Sequence, residues 1–195
     1  MSGEKGWPCI IDKGVVEGIP FLKMVRISGQ KLTLPTRPDR DTVRRRIKWL
    51  SDVACALDRL HNRGFVHRDV YHENILVSDD GACVIDLGFA RSIDIPSGPR
   101  TRGPEVHWPP DYLDDFSAAG PPADIYSLGV LLHRTLTGDM PRIQSAEKLA
   151  SMVAPKMTDL ILGCLSPIPK ARPDAKTVAE LLGQADGQID SFVNF

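Results

Sequence analysis

From residue 41 to about residue 62, apolar side chains recur at three- and four-residue spacing: Val43, Ile47, Leu50, Ala54, Leu57 and Leu60. That period lines them up on one stripe of an amphipathic helix, which Gly64 ends. Further helical patterns cover about 123–137, 146–153, 156–165 and 175–184, the last opening after Pro173-Asp174 and closing near Gly187. The strand-like patterns come earlier. Val15-Val16-Glu17-Gly18-Ile19-Pro20 predicts a strand and turn, and Phe21 to Ile27 a second strand that Ser28-Gly29 breaks. Leu32 to Arg40 holds two prolines and reads as a linker. Ile75-Leu76-Val77 and Ala82-Cys83-Val84-Ile85 flank Ser78-Asp79-Asp80-Gly81, the pattern of a tight antiparallel hairpin. Residues 91–113, rich in Pro, Gly, Ser and Arg, are too irregular for regular structure, and a loop that long in a compact domain is usually functional or disordered. Few strands followed by many helices predict an α+β fold.

The chain has 195 residues, a length that suits one domain with a sizeable core. Its net charge of −1 gives no global basic field calling for nucleic acid or a membrane surface. Arg44-Arg45-Arg46 falls on the first helix and reads as its wet face. Cys9, Cys55, Cys83 and Cys164 are far apart in sequence, with no Cys-x-x-Cys pair, so they read as free thiols in a reducing compartment, most of them buried. The first residues lack the apolar core of a secretion signal, and no run approaches membrane-spanning length. A soluble cytosolic or nuclear protein is the expectation.

Candidate chemistry sits around the hairpin. His67-Arg68-Asp69 precedes it, with Asn74 five residues after the Asp, and Asp86-Leu87-Gly88 follows it. A strand that leaves Asn74 and returns at Asp86 puts both oxygen-bearing side chains at one end of the hairpin, one short loop from Asp69. Two carboxylates and an amide converging there suit a hard divalent cation such as Mg²⁺ that keeps company with phosphates. The pattern is a phosphoryl-transfer signature.

At these residues the chain resembles the eukaryotic protein kinase family. His67 to Asn74 matches its catalytic-loop pattern, and Asp86-Leu87-Gly88 its Mg²⁺-binding motif with Leu for Phe. The resemblance implies a kinase-like fold that is mostly the helical large lobe: residues 1–30 would be a remnant of the small lobe and hinge, and 31–195 the large lobe. It implies ATP and Mg²⁺ as cofactors and a protein substrate as partner. Asp69 would orient the acceptor hydroxyl and take its proton, Asn74 and Asp86 would hold metal, and His67 would support the loop from beneath. Met24, Val25 and Ile27 would border the adenine at the hinge, and Leu76 would floor its pocket. Asp124 would open the buried central helix, and Arg172 would pair with Asp111 at the close of the activation segment. Arg68 would meet phosphate on that segment, with Thr101 the candidate acceptor beside Ser92 and Ser97.

Three departures qualify the resemblance. No G-x-G-x-x-G and no strand of the V-A-I-K type lies upstream, which predicts a fragment truncated at its N-terminus. Tyr71 stands where Ser/Thr kinases commonly carry a Lys, and Pro109-Pro110-Asp111 stands for Ala-Pro-Glu. Gly103-Pro104-Glu105 resembles that last motif by letters but lies too far from Asp124. The leading expectation is a Ser/Thr-type protein kinase. The alternatives are a pseudokinase acting as a binding module and a small-molecule phosphotransferase of the aminoglycoside type. Arg68, the long segment and the Asp124 and Arg172 motifs speak against the last.

Overall fold

The computed structural model of the chain describes residues 5–34, 39–95, 107–111, 120–142 and 145–186. Helix α1, Arg40–His61, is the central scaffold. Asp39 caps it by accepting the Thr42 amide hydrogen at 2.9 Å, and Asp41 places a further negative charge in its first turn. Val43, Ile47, Leu50, Ala54 and Leu57 are fully buried on the stripe that the spacing predicts. The chain leaves α1 through Asn62 and then Gly64, whose φ of +76° reverses the backbone.

The remaining helices are α2, Pro121–Thr137; α3, Ser145–Met152; α4, Pro155–Cys164; and α5, Ala175–Asp186. Two prolines start α2, where their missing N–H groups cost nothing, and Gly138 at φ +74° ends it. Ile125, Leu128, Val130, Leu131, Leu132 and Leu136 are all buried, so α2 is a core helix and not a surface one. Gly129 lets α4 approach, since a Cβ there would lie 2.7 Å from Cys164 Cβ. On its other side α1 packs along α5.

The strands form three small sheets. β1 (Ile10–Val16) and β2 (Ile19–Met24) make an antiparallel hairpin through Glu17-Gly18. β3 (Gln30–Lys31), β5 (Ile75–Ser78) and β6 (Gly81–Val84) make a sheet in the order β3-β5-β6, and β4 (Phe65–Val66) pairs with β7 (Arg91–Ser92). Ser78 pairs with Gly81 across Asp79-Asp80, the expected two-residue turn. This is the α+β architecture the pattern predicts.

Several boundaries move. The first strand begins at Ile10, well before Val15, because it pairs with all of β2. The second ends at Met24 and not Ile27. Leu32 is no linker residue: its amide donates to Ile75 O at 2.8 Å and its side chain is 1% exposed in the core. Arg46 is also turned inward, 8% exposed, while Arg44 and Arg45 stay on the wet face. Only Cys164 is fully buried, and the other three thiols are half-buried. Thr101, Ser97 and Gly103-Pro104-Glu105 lie outside the described residues.

Candidate active site

Strand β4 delivers the chain into His67, Arg68 and Asp69, and α2 fixes that loop from behind. Asp124, in the first turn of α2, accepts the His67 amide hydrogen at 2.8 Å on one oxygen and the Arg68 amide hydrogen at 2.8 Å on the other. His61 Nε2, at the end of α1, donates to it at 2.8 Å. Burial alone would raise the Asp124 pKa, but the His61 hydrogen bond and charge, with His67, outweigh it and hold the carboxyl below its ordinary range. An ionised carboxylate therefore ties two helices to two residues of the loop.

Those bonds hold an unfavourable backbone. Arg68 sits at φ +71°, a left-handed conformation that costs an L-residue on the order of 1 kcal/mol. His67 is completely buried, with Trp7 stacked on it at 5.9 Å between ring centroids. Its Nδ1 accepts the Asp69 amide hydrogen at 3.3 Å, and burial pushes its pKa down, so it serves as a neutral acceptor beneath the loop.

Asp69 and Asn74 form one unit. Asn74 closes a short 3₁₀ turn, His72–Asn74, and its Nδ2 donates to Asp69 O at 3.0 Å and to Asp69 Oδ2 at 2.8 Å. Both amide hydrogens are thereby used. Oδ1 takes no hydrogen bond among the described residues and is left as an oxygen donor. Asp69 is 8% exposed, and burial raises its pKa against the opposing Asn74 hydrogen bond. The Ile85 amide donates to Asn74 O at 2.9 Å, which seals the open end of the β5–β6 hairpin and places Asp86 one residue beyond.

Asp86 is exposed and left-handed, at φ +65°. Its Oδ1 accepts the Gly88 amide hydrogen at 3.0 Å, and a Cβ on Gly88 would stand 2.9 Å from that oxygen, so a larger residue there would push the carboxylate aside. Among the described residues no group of three or more His, Cys, Asp and Glu could hold a metal. An amide oxygen and one carboxylate instead fit a cation that keeps waters and binds phosphates for its remaining positions, which is the habit of Mg²⁺.

A cavity of about 320 Å³ opens beside this end of the hairpin, lined by Trp7, Leu22 and Met24 on one side and Asp86, Leu87 and Gly88 on the other. Met24 is thus brought to Asp86. Val25, Ile27 and Leu76 do not line it: the Val25 amide is bound to Cys9 O at 2.8 Å, Ile27 is half-buried in the irregular stretch after β2, and Leu76 is half-buried on β5. Leu22 was legible only through strand alternation, which puts it on the same face as Met24. Trp7 and the His61–Asp124 bond carried no local signal.

Arg172 and Asp111 meet as expected. The Arg172 side chain is wholly buried, its Nη1 lies 3.4 Å from Asp111 Oδ2, and its Nη2 is bonded to Asp111 Oδ1. Its other hydrogens reach Ser166 O at 2.8 Å and Pro122 O at 3.1 Å, and its Cζ lies 5.1 Å from the Tyr126 ring centroid. Tyr71 is half-buried, and burial raises its phenol pKa, so no charge stands at that position.

A family model described as the protein kinase domain matches residues 36–181. The probable serine/threonine-protein kinase CE0033 of Corynebacterium efficiens is 30% identical over 153 residues, 72% of this chain and 23% of that protein. The serine/threonine-protein kinase PknB of Mycolicibacterium smegmatis is 33% identical over 131 residues, 64% of this chain and 21% of that protein. The testis-specific serine/threonine-protein kinase 5 of Mus musculus is 30% identical over 149 residues, 69% of this chain and 40% of that protein. The chain spans a fifth to two fifths of the length of these relatives.

Proposed function

Because this chain belongs to the protein kinase family, we propose that it transfers the γ-phosphate of ATP to a serine or threonine hydroxyl of a protein substrate. The observation that carries this reading is the Asp69–Asn74 unit facing the same hairpin end as Asp86. Asn74 Oδ1 and the Asp86 carboxylate would hold Mg²⁺. The bound cation would offset the negative charge of the phosphates. The adenine belongs against Met24 and Leu22 in the cavity.

Asp69 orients the acceptor hydroxyl and takes its proton as the new oxygen–phosphorus bond forms. Asn74 fixes its Oδ2, which leaves Oδ1 for that proton. The raised pKa of Asp69 makes it a better base than a solvated carboxylate. Arg68, on its strained backbone, would meet phosphate carried on the 91–113 segment.

The second reading is a catalytically impaired binding module. It is favoured by Tyr71, which cannot meet a phosphate with positive charge. No helix among the described residues is long and apolar enough to cross a membrane, and all four cysteines are free. The cytoplasm or nucleus is the compartment consistent with this reading. Incubation with ATP labelled at the γ-phosphate, Mg²⁺ and a panel of protein substrates tests it. Label transfer is expected with the parent and lost in Asp69→Asn, which retains Mg-ATP binding by calorimetry, whereas Asp86→Asn loses both. Binding without transfer, or an Asp69→Asn variant as active as the parent, gives the site to the binding-module reading.

A further inference from the structure

At the other end of the β5–β6 hairpin lies a second cleft, of about 430 Å³, walled by β3, the first turns of α1 and the Asp79 turn. Val77 to Asp79 follow Asn74 by three to five residues, roughly 10–16 Å along an extended strand, so this cleft is separate from the candidate active site. Its lining gathers Lys31, Arg45 and Arg46 with Thr33 and Trp49, against one carboxylate, Asp79.

Arg46 is the informative residue. It is 8% exposed, and its Nη2 donates to Thr33 Oγ1 at 3.3 Å. Its buried Nε and Nη1 have no hydrogen-bond partner among the described residues. A guanidinium taken out of water with N–H groups unmatched is a costly arrangement that a folded chain keeps only for a reason. The acid nearest to it by charge, Asp39, is engaged at the α1 N-terminus with Thr42. Arg45 adds a like charge beside it instead of relieving it. Lys31 has an exposed partner in Glu73, 3.4 Å away.

Within the lining Arg45 and Arg46 face one carboxylate, Asp79, and Lys31 is shared with Glu73 outside it, so the cleft keeps a net positive charge. That favours a strongly anionic group such as a phosphate monoester, which carries about −1.5 to −2 near neutral pH. The planar fork of arginine suits its oxygens, and the Thr33 hydroxyl can donate to them while accepting from Arg46. The cleft is far larger than a bare ion needs. Trp49, held by its Nε1–H on Ser78 O at 3.1 Å, offers a fixed, half-buried aromatic wall for the organic part of a ligand. We propose that this cleft binds a phosphorylated side chain of a peptide, with Arg46 and Arg45 on the phosphoryl oxygens, Lys31 supplying further charge, and the peptide lying over Trp49.

The test uses the full chain and fluorescently labelled degenerate peptides carrying phosphothreonine or phosphoserine, titrated by anisotropy beside their unphosphorylated and glutamate-substituted counterparts. The phosphorylated pool should bind at least about tenfold more tightly than either, the scale of one hydrogen bond to a charged group, and should weaken with added salt. Arg45→Ala, at an exposed position, should lose about tenfold of that affinity, and Asp79→Asn should gain. Arg46→Met should abolish the preference for phosphate while its thermal unfolding shows a folded protein. Equal binding of the three pools, or phosphate-dependent binding unaltered in Arg45→Ala, overturns the proposal. Inorganic phosphate competing as strongly as the phosphopeptides overturns the peptide as its source. None of these residues enters the phosphotransfer reading, so the outcome is independent of whether the chain transfers phosphate.

Discussion

Asp124→Asn is the substitution from which most can be learned. The carboxylate is 1% exposed and accepts three hydrogen bonds of 2.8 Å, from the His67 amide, the Arg68 amide and His61 Nε2. An Asn of the same shape keeps one acceptor oxygen and presents an NH₂ to the donor it no longer serves. With its oxygen on the Oδ2 side the Asn keeps the His67 amide and His61 Nε2 as bonds to a neutral acceptor, and its NH₂ is turned against the buried Arg68 amide, which loses its partner. Each hydrogen bond to a charged acceptor contributes ~1.5–3 kcal/mol, and relief from burying a carboxylate offsets part of the sum, so the net cost is about 3 kcal/mol. For a chain of this size that lowers the melting temperature by roughly 6–12 °C.

Urea unfolding at pH 7 measures the effect as a shift in midpoint at constant slope. Because Asp124 is held below its ordinary pKa in the fold, its contribution is complete above the unfolded value, near 4, and is lost as pH falls through the folded value. The gap between parent and variant should therefore be flat from neutral pH to about 5 and close under more acidic conditions. His61→Ala, which removes only one of the three bonds, should cost about half as much as Asp124→Asn. A parent and Asp124→Asn within about 0.5 kcal/mol of each other at pH 7 would refute the idea that this carboxylate anchors the loop.

Two further outcomes follow from the same geometry. Arg172→Met should cost about 3–5 kcal/mol, because it strands the Asp111 carboxylate and leaves the Ser166 and Pro122 carbonyls without their donor; a loss under about 1 kcal/mol in urea unfolding would show that the pair is solvated. The acid limb of the phosphotransfer pH profile should lie above the ordinary carboxylate range, since burial raises Asp69. A limb within the ordinary carboxylate range would mean that Asp69 is not the titrating base.

The sequence made the helices, the hairpin and the chemical residues readable because each of them is written locally. Val43 to Leu60 repeat with the helical period, Gly64 and Gly138 sit where the chain must reverse, and Asp79-Asp80-Gly81 marks a two-residue turn. What could not be read depends on contacts far apart in the chain. Leu32 follows two short strand residues and precedes two prolines, so it looks like linker, and only the pairing of β3 with β5 draws it into the core. Arg46 is chemically identical to its neighbours Arg44 and Arg45, and its inward position is a matter of helical phase against the β5 wall. At the candidate site, Met24 reached the cavity but Val25, Ile27 and Leu76 did not: β2 ends at Met24, so Val25 and Ile27 leave its cavity face, and motif position places Leu76 on β5 without fixing which face meets the cavity.

The distribution of unfavourable local choices points the same way as the motifs. Two of the three non-glycine residues with positive φ among the described residues, Arg68 and Asp86, flank the hairpin end, and the buried carboxylate of Asp69 follows Arg68 directly. Each is opposed by a dedicated contact: Asp124 on the Arg68 amide, the Gly88 amide on Asp86, and Asn74 on Asp69. A loop with no task would relax by moving Arg68 to negative φ and turning Asp69 toward water, and each change would gain stability. The fold instead spends a buried Asp, two histidines and the first turn of its core helix on preventing that relaxation. Strain held in place by such over-determined contacts is the mark of a site whose geometry matters more than its local stability. The third positive φ, at Glu17, lies in the β1–β2 turn with no such support, as expected where left-handed backbone merely closes a hairpin.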